Sequence, residues 1–302
     1  MSYFVGMMGR LERAEQWFRA QGWEPFPFQQ EAWQSVSEGL HGIVNAPTGS
    51  GKTYSLLIPI LLTGKEKTKV KGPQAIWITP IRALAKEIEL SAKRAIADLQ
   101  PHWRVGVRSG DTSTRERARQ KERPPDLLIT TPESLHLLLS QKGYADYFSD
   151  LQMLVVDEWH ELVGSKRGVL MELALSRLKT IAPAMRIWGI SATIGNMEQS
   201  VQILLGSSHT LGRHTVIKAS HKKDIDIVSI LPDEVERMPW SGHLGIQLLD
   251  KVIPIIHQST STLIFTNTRS FAEIWYQKIL DRAPELSGLL AMHHGSISKE
   301  LR

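Results

Sequence analysis

The chain has 302 residues, 42% hydrophobic and 22% charged, a globular balance that excludes a fibre or a disordered polymer. It contains no cysteine, so a disulfide framework, a thiolate metal site and a thiol nucleophile are all excluded. The formal charge of +5 is compatible with a polyanionic partner, no apolar run approaches the roughly 20 residues of a membrane span, and 1–10 is too short in apolar residues for a signal peptide, so a cytoplasmic location is expected.

Short apolar runs rich in Ile, Val and Leu alternate with amphipathic stretches, the pattern of an α/β parallel sheet with helices on both faces. In chain order the strands are predicted at 41–46, 74–79, 103–108, 126–130, 151–156 and 186–190. Helices are predicted at 51–62, 81–99, 133–140, 168–180 and 196–205. In the fourth of these, Leu170, Leu173, Ala174 and Leu178 recur at helical spacing and are expected to face the sheet. The pattern thins at 206–212, read as a linker after a first domain at 1–205. A second α/β unit at 213–302 follows, with apolar runs at 225–231, 263–266 and 289–292 and a helix at 270–280. Two basic stretches stand out, 64–72 with Lys65, Lys67, Lys69 and Lys71, and 115–123. Both are read as solvated surface, with phosphate contact as the alternative.

Residues 46–53 read Ala-Pro-Thr-Gly-Ser-Gly-Lys-Thr between a strand and a helix, the context that distinguishes a phosphate-binding loop from a chance match. Gly49 and Gly51 allow the tight turn that aims the N–H groups of Thr48, Ser50 and their neighbours at an anion. The helix N-terminus adds its positive end. Lys52 supplies a charge for the β- and γ-phosphates of a nucleotide, and Thr53 a hydroxyl for Mg²⁺. The run 151–156 ends in Asp157-Glu158-Trp159-His160. Two adjacent carboxylates at the end of a buried strand are costly and need a reason. Downstream of a P-loop the reason is a metal ion and a water: Asp157 to hold Mg²⁺, Glu158 to orient and deprotonate the attacking water. A zinc-protease reading of His160-Glu161 fails, because the fifth position is Gly164. His160 is read instead as a residue coupling the nucleotide site to the rest of the fold.

The order of further segments carries more than any one of them. After the P-loop come Thr79-Pro80-Ile81-Arg82-Ala83-Leu84, Ser109-Gly110-Asp111-Thr112, Thr130-Thr131-Pro132-Glu133-Ser134, the acidic box, and Ser191-Ala192-Thr193. This series resembles the superfamily 2 helicases of the DExH type. The segments WFRAQGWEPFPFQQEAW, DEWHELVGSKRGV, IWGISATIGN, PWSGHLG, LIFTNTRSFAEIWYQ and HHGSISKELR narrow the resemblance to the Lhr family, and within it to the bacterial ligase-associated DExH-box helicases.

The resemblance implies two RecA-like domains with ATP in the cleft between them. It implies hydrolysis stimulated by nucleic acid and 3′-to-5′ movement on single-stranded DNA or a DNA/RNA hybrid, in a repair setting that includes a DNA ligase and a nuclease. Gln29 then occupies the position of the adenine-reading glutamine, with Trp23 or Phe26 as a stacking platform or as core packing. Pro80, Arg82, Thr131, Pro132 and Glu133 fall in segments that grip a single strand, although Thr before Pro is also an ordinary helix start. Ser191 and Thr193 fall in the segment that couples hydrolysis to domain movement, and Arg269 in a nucleic-acid motif of the second domain. The family's later motifs, with the arginines that reach the γ-phosphate, lie beyond the matched portion. A non-catalytic nucleotide- and nucleic-acid-binding fragment is therefore the alternative function, and 212–302 is expected to be sensitive to protease.

Overall fold

The computed structural model describes residues 2–65, 71–192, 194–206, 213–219, 225–232 and 244–293. The chain divides into two compact units, Met1–Lys222 and Lys223–Arg302.

The first unit runs α1 (Ser2–Ala20), α2 (Pro27–Ser37), β1 (His41–Asn45), α3 (Lys52–Thr63), β2 (Ala75–Ile78), α4 (Arg82–Leu99), β3 (Val105–Arg108), α5 (Thr114–Glu122), β4 (Leu127–Thr130), α6 (Pro132–Leu139), α7 (Tyr144–Phe148), β5 (Met153–Val156), α8 (Trp159–Leu162), α9 (Lys166–Ile181), β6 (Arg186–Ser191), α10 (Met197–Leu205) and β7 (His214–Lys218). The strands form one parallel sheet in the order β3-β4-β2-β5-β6-β1-β7. Every residue of β2, β4 and β5 is buried, which is why these segments read as unbroken apolar runs rather than alternating ones. Each face of the sheet carries its own core. Trp33, Leu57, Trp77 and Ile88 lie on one face, and Leu135, Trp159, Met171 and Leu178 on the other.

The first unit does not end at residue 205. His214–Lys218, expected to open the second unit, pairs in parallel with β1 and covers its outer edge, with Val44 opposite Ile217. In α9 the buried stripe is Met171, Ala174, Leu175 and Leu178, while Leu170 is half-buried and Leu173 is 59% exposed. Leu173 and Leu175 lie two residues apart, about 200° around a helix, so burying one exposes the other.

The second unit contains α11 (Leu244–Gln247), α12 (Leu249–Gln258) and α13 (Arg269–Arg282), with a small apolar cluster of Leu249, Ile279, Ala283 and Leu286. Its expected strands do not form among the described residues, since none of the three apolar runs pairs with another segment. Ile227 is 91% and Phe265 89% exposed, so the β-prone sequence is present without a sheet edge to receive it.

Candidate functional site

β1 delivers the loop 46–51 to the C-terminal edge of the sheet, and α3 starts at Lys52. Gly49 at φ +79° and Gly51 at φ +75° adopt the left-handed conformation that the turn requires. The Ser50 hydroxyl donates to the Pro47 carbonyl at 2.7 Å and closes the loop from inside. Thr48 and Gly49 are exposed on the loop, and Thr53 is half-buried on the first turn of α3. Lys52 is 8% exposed, and its Nζ meets Glu158 Oε1 at 2.5 Å.

Asp157 and Glu158 follow β5, which lies next to β6, itself the neighbour of β1, so the acidic box faces the loop across one intervening strand. Asp157 is 4% exposed. Its two oxygens accept from Trp77 Nε1 at 3.2 Å and from the Glu158 amide at 2.9 Å. Burial, with the Glu158 charge beside it, pushes Asp157 up to about 6, against the opposing pull of Lys52. Glu158 sits at φ +47°, the one non-glycine residue at positive φ among those described. That backbone turn aims its carboxylate at Lys52 and at His160 Nδ1, 3.5 Å away. His160 Nδ1 in turn lies 3.1 Å from Ser191 Oγ and 3.5 Å from the Ala192 amide. Asn45, which ends β1, donates to the Ala192 carbonyl, and the Ala46 amide donates to Ser191 at 3.0 Å. The loop, the acidic box and the end of β6 are thus one connected cluster. Thr193 lies outside the described residues.

Gln29 is 2% exposed and reaches the same cluster from α2. Its Oε1 accepts from the Phe26 amide at 2.8 Å and its Nε2 donates to the Gly51 carbonyl at 2.9 Å. One lone pair and one N–H of this amide remain after those two bonds. Trp23 is enclosed by Trp17, Phe18 and Tyr54 and carries the Arg94 guanidinium 5.6 Å over its ring, while Phe26 stacks on Phe28. Both aromatics therefore pack against protein.

A second group of residues lies at the C-terminal ends of β2, β3 and β4. Thr131 is buried and caps α6, accepting from the Ser134 amide at 3.4 Å, and Pro132 is buried at the first position of the helix. Arg82 is exposed, and its Nη1 donates to both oxygens of Asp111 at 3.1 and 3.2 Å. Pro80 is buried, with its carbonyl accepting from Arg167 Nη1 at 2.9 Å. Arg167 also grips Glu133 through Nε at 2.6 Å and Nη2 at 3.2 Å. Burial raises Glu133, but these bonds outweigh it and hold the carboxyl below its ordinary range. Arg269 is exposed on the first turn of α13 in the second unit, where Thr268 caps the helix.

Two contributors were not found from the sequence. Trp77, inside an all-apolar strand, orients Asp157 through its indole N–H, and only its being the one polar-tipped residue of Ala-Ile-Trp-Ile could have signalled it. Arg167 holds two loop segments together from the start of α9, and its position in Gly-Ser-Lys-Arg-Gly, beside a helix cap, gave no cue.

A glycine-bearing loop between an inner parallel strand and a helix, with its lysine paired to a carboxylate from a nearby strand end, defines a P-loop nucleotide-binding protein of the RecA-like class. The chain belongs to the DEAD/DEAH box helicase family, whose profile matches residues 26–201. Its similarity extends further to helicases of the Lhr type in superfamily 2. It is 35% identical over 309 residues to the ATP-dependent helicase Lhr-Core of Methanothermobacter thermautotrophicus, covering 95% of this chain and 35% of that protein. It is 30% identical over 346 residues to the Lhr helicase/uracil glycosylase of Escherichia coli, covering 95% of this chain and 22% of that one. Among solved structures, Mycobacterium smegmatis helicase Lhr bound to ssDNA and AMP-PNP superposes with a TM-score of 0.77 at 29% identity, covering 95% of this chain and 38% of that one. The chain spans about a third of the length of the Lhr-Core relatives it matches. No helix among the described residues is long and apolar enough to cross a membrane.

Proposed function

We propose that the chain binds ATP with Mg²⁺ at the P-loop and belongs to a nucleic-acid-stimulated helicase or translocase. The observation that carries this reading is the nearly buried Lys52–Glu158 pair at 2.5 Å, set beside Asp157 at the strand ends. A lysine and two carboxylates held this close are poised to exchange partners when a phosphate arrives. Lys52 and the loop amides would take the phosphates. Thr53 and Asp157 would hold Mg²⁺, which neutralises phosphate charge, and two protein oxygens suit an ion that takes its other ligands from water and phosphate. Glu158, released from Lys52, would accept the proton of the attacking water. Gln29 would read adenine with the amide valences left by Phe26 and Gly51. His160 and Ser191 would transmit the state of the site to β6, and Thr193 is proposed to share that role.

Single-stranded DNA or a DNA/RNA hybrid is the proposed partner of the second group of residues. The ssDNA held by the Mycobacterium smegmatis relative supports that reading. Arg82 and the ends of α4 and α6 would meet phosphates without reading bases, as a translocase requires. Arg269 would add a contact from the second unit. Movement 3′ to 5′ and work in DNA repair beside a ligase and a nuclease remain part of the proposal.

A second reading is favoured by the exposed, unpaired apolar runs of 225–231 and 263–265. In it this stretch of sequence binds nucleotide and nucleic acid with little turnover by itself. Phosphate release from ATP by the purified chain, with and without single-stranded DNA and beside Lys52→Ala, separates the two. Release that DNA stimulates and Lys52→Ala abolishes supports the motor. Binding without release supports the second reading. Turnover that survives Lys52→Ala overturns both.

A further inference from the structure

We infer that the pocket on the β3 edge of the first unit, between α5, α6 and α7, binds a phosphate group at a site separate from the P-loop. The cavity has a volume of about 250 Å³, and Arg108, Tyr147, Lys71, Lys121 and Lys142 line it together with two carboxylates, Glu122 and Asp146.

Arg108 is the central observation. It is 7% exposed, yet no hydrogen bond or ion pair reaches its guanidinium from the described residues. Other arginines of this unit do have partners: Arg82 takes Asp111, Arg104 the Pro124 carbonyl, Arg167 Glu133, and Arg186 the Val36 carbonyl. The Tyr147 hydroxyl is likewise buried without a hydrogen-bond partner. Only the Tyr147 hydroxyl is fully buried; the Arg108 guanidinium opens into the pocket, and an anion there would pair it and satisfy the hydroxyl at once. Partial burial pulls Arg108 below its ordinary range, and burial pushes Tyr147 up to about 12.

The chemistry of the lining selects the ligand. A guanidinium fork, a phenol O–H and three ammonium groups offer donors on several sides, which suits a tetrahedral oxyanion. Four cationic side chains against two carboxylates leave a local charge of +2, matching a phosphate mono- or dianion. Lys71 and Lys121 come from the two basic stretches that composition alone reads as solvated surface. The fold brings one residue of each to the same pocket. β3 is the first strand of the sheet and β1 the sixth. Five strand spacings of about 4.8 Å put this edge roughly 24 Å from the strand that feeds the P-loop.

The phosphate can come from a nucleic-acid backbone or from a free phosphate. The test uses the full chain carrying Lys52→Ala, which silences the P-loop, in a chloride buffer free of phosphate and sulfate. Inorganic phosphate and a short single-stranded oligonucleotide are titrated calorimetrically against this protein and against Arg108→Gln and Tyr147→Phe in the same background. Arg108→Gln is expected to weaken the bound probe at least about tenfold, and Tyr147→Phe by a smaller factor. Loss confined to the oligonucleotide, with a salt slope shallower by about one, assigns the site to a backbone phosphate. Loss of inorganic phosphate assigns it to a free ion. Unchanged affinity for both probes in both variants overturns the inference.

Discussion

Glu158→Gly tests how the site stores opposing energies. Glu158 holds φ +47°, and a left-handed residue with a side chain costs about 1–2 kcal/mol, of which glycine recovers at most about 1 after its own larger chain entropy. The same substitution strips Lys52 of its partner. The two side chains are 10% and 12% exposed, and stranding one member of a nearly buried pair costs roughly 3–5 kcal/mol. The net expectation is a loss of about 2–4 kcal/mol for the single variant. Adding Lys52→Met removes the stranded ammonium, so the double variant should return to within about 1 kcal/mol of the parent. Urea unfolding without nucleotide, followed by the fluorescence of the nine tryptophans, gives all three values. A single variant as stable as the parent, or a double variant no better than the single, would mean that the Lys52–Glu158 pair does not carry this energy.

Other expectations follow from separate parts of the fold. His41 Nδ1 accepts from the Ile187 amide at 3.1 Å, and burial, with Lys179 and Arg186 nearby, lowers its pKa. The neutral form is favoured in the fold, so this stability is complete above the unfolded value near 6.5 and is lost as the pH falls below it. Melting should therefore drop more on going from about pH 7.5 to about pH 5.5 in the parent than in His41→Gln. Gly42→Ala should destabilise by roughly 1–3 kcal/mol, because its Cβ would lie 2.5 Å from the Thr215 carbonyl and 2.9 Å from the Trp188 ring. Chemical denaturation checks this, and a neutral result would mean that β7 yields easily. Arg167→Ala should weaken single-stranded DNA roughly tenfold with ATP affinity unchanged, and Arg167→Lys should restore only part of it for lack of the planar fork. Fluorescence anisotropy of a labelled oligonucleotide reads the loss, and equal binding by the alanine variant would remove Arg167 from the proposed nucleic-acid face.

The inner sheet was legible because its strands are buried on both faces, so that segments such as Leu-Leu-Ile-Thr and Met-Leu-Val-Val announce themselves. β7 was not, since His-Thr-Val-Ile-Lys is half-buried at an edge and follows a glycine-rich stretch that reads as a domain break. The P-loop and acidic box could be read because their chemistry fixes residue types at fixed spacing, and the structure brings Lys52 and Glu158 together across 106 positions. Trp77 and Arg167 could not. Their roles depend on which side chain from a distant segment arrives beside them, and no local pattern encodes that. Thr131 shows the converse: the sequence left capping and ligand contact open, and the geometry displays the cap. The second unit's runs have strand composition, but composition does not supply a neighbouring edge.

Lys52, Asp157 and Glu158 are proposed to form an ATP–Mg²⁺ site. Equilibrium binding of a fluorescent ATP analogue with and without Mg²⁺ is the decisive measurement, made on the chain, Lys52→Ala and Glu158→Gln. Mg²⁺-dependent binding that Lys52→Ala removes and Glu158→Gln preserves is the expected result. Binding that is indifferent to Lys52→Ala would contradict it.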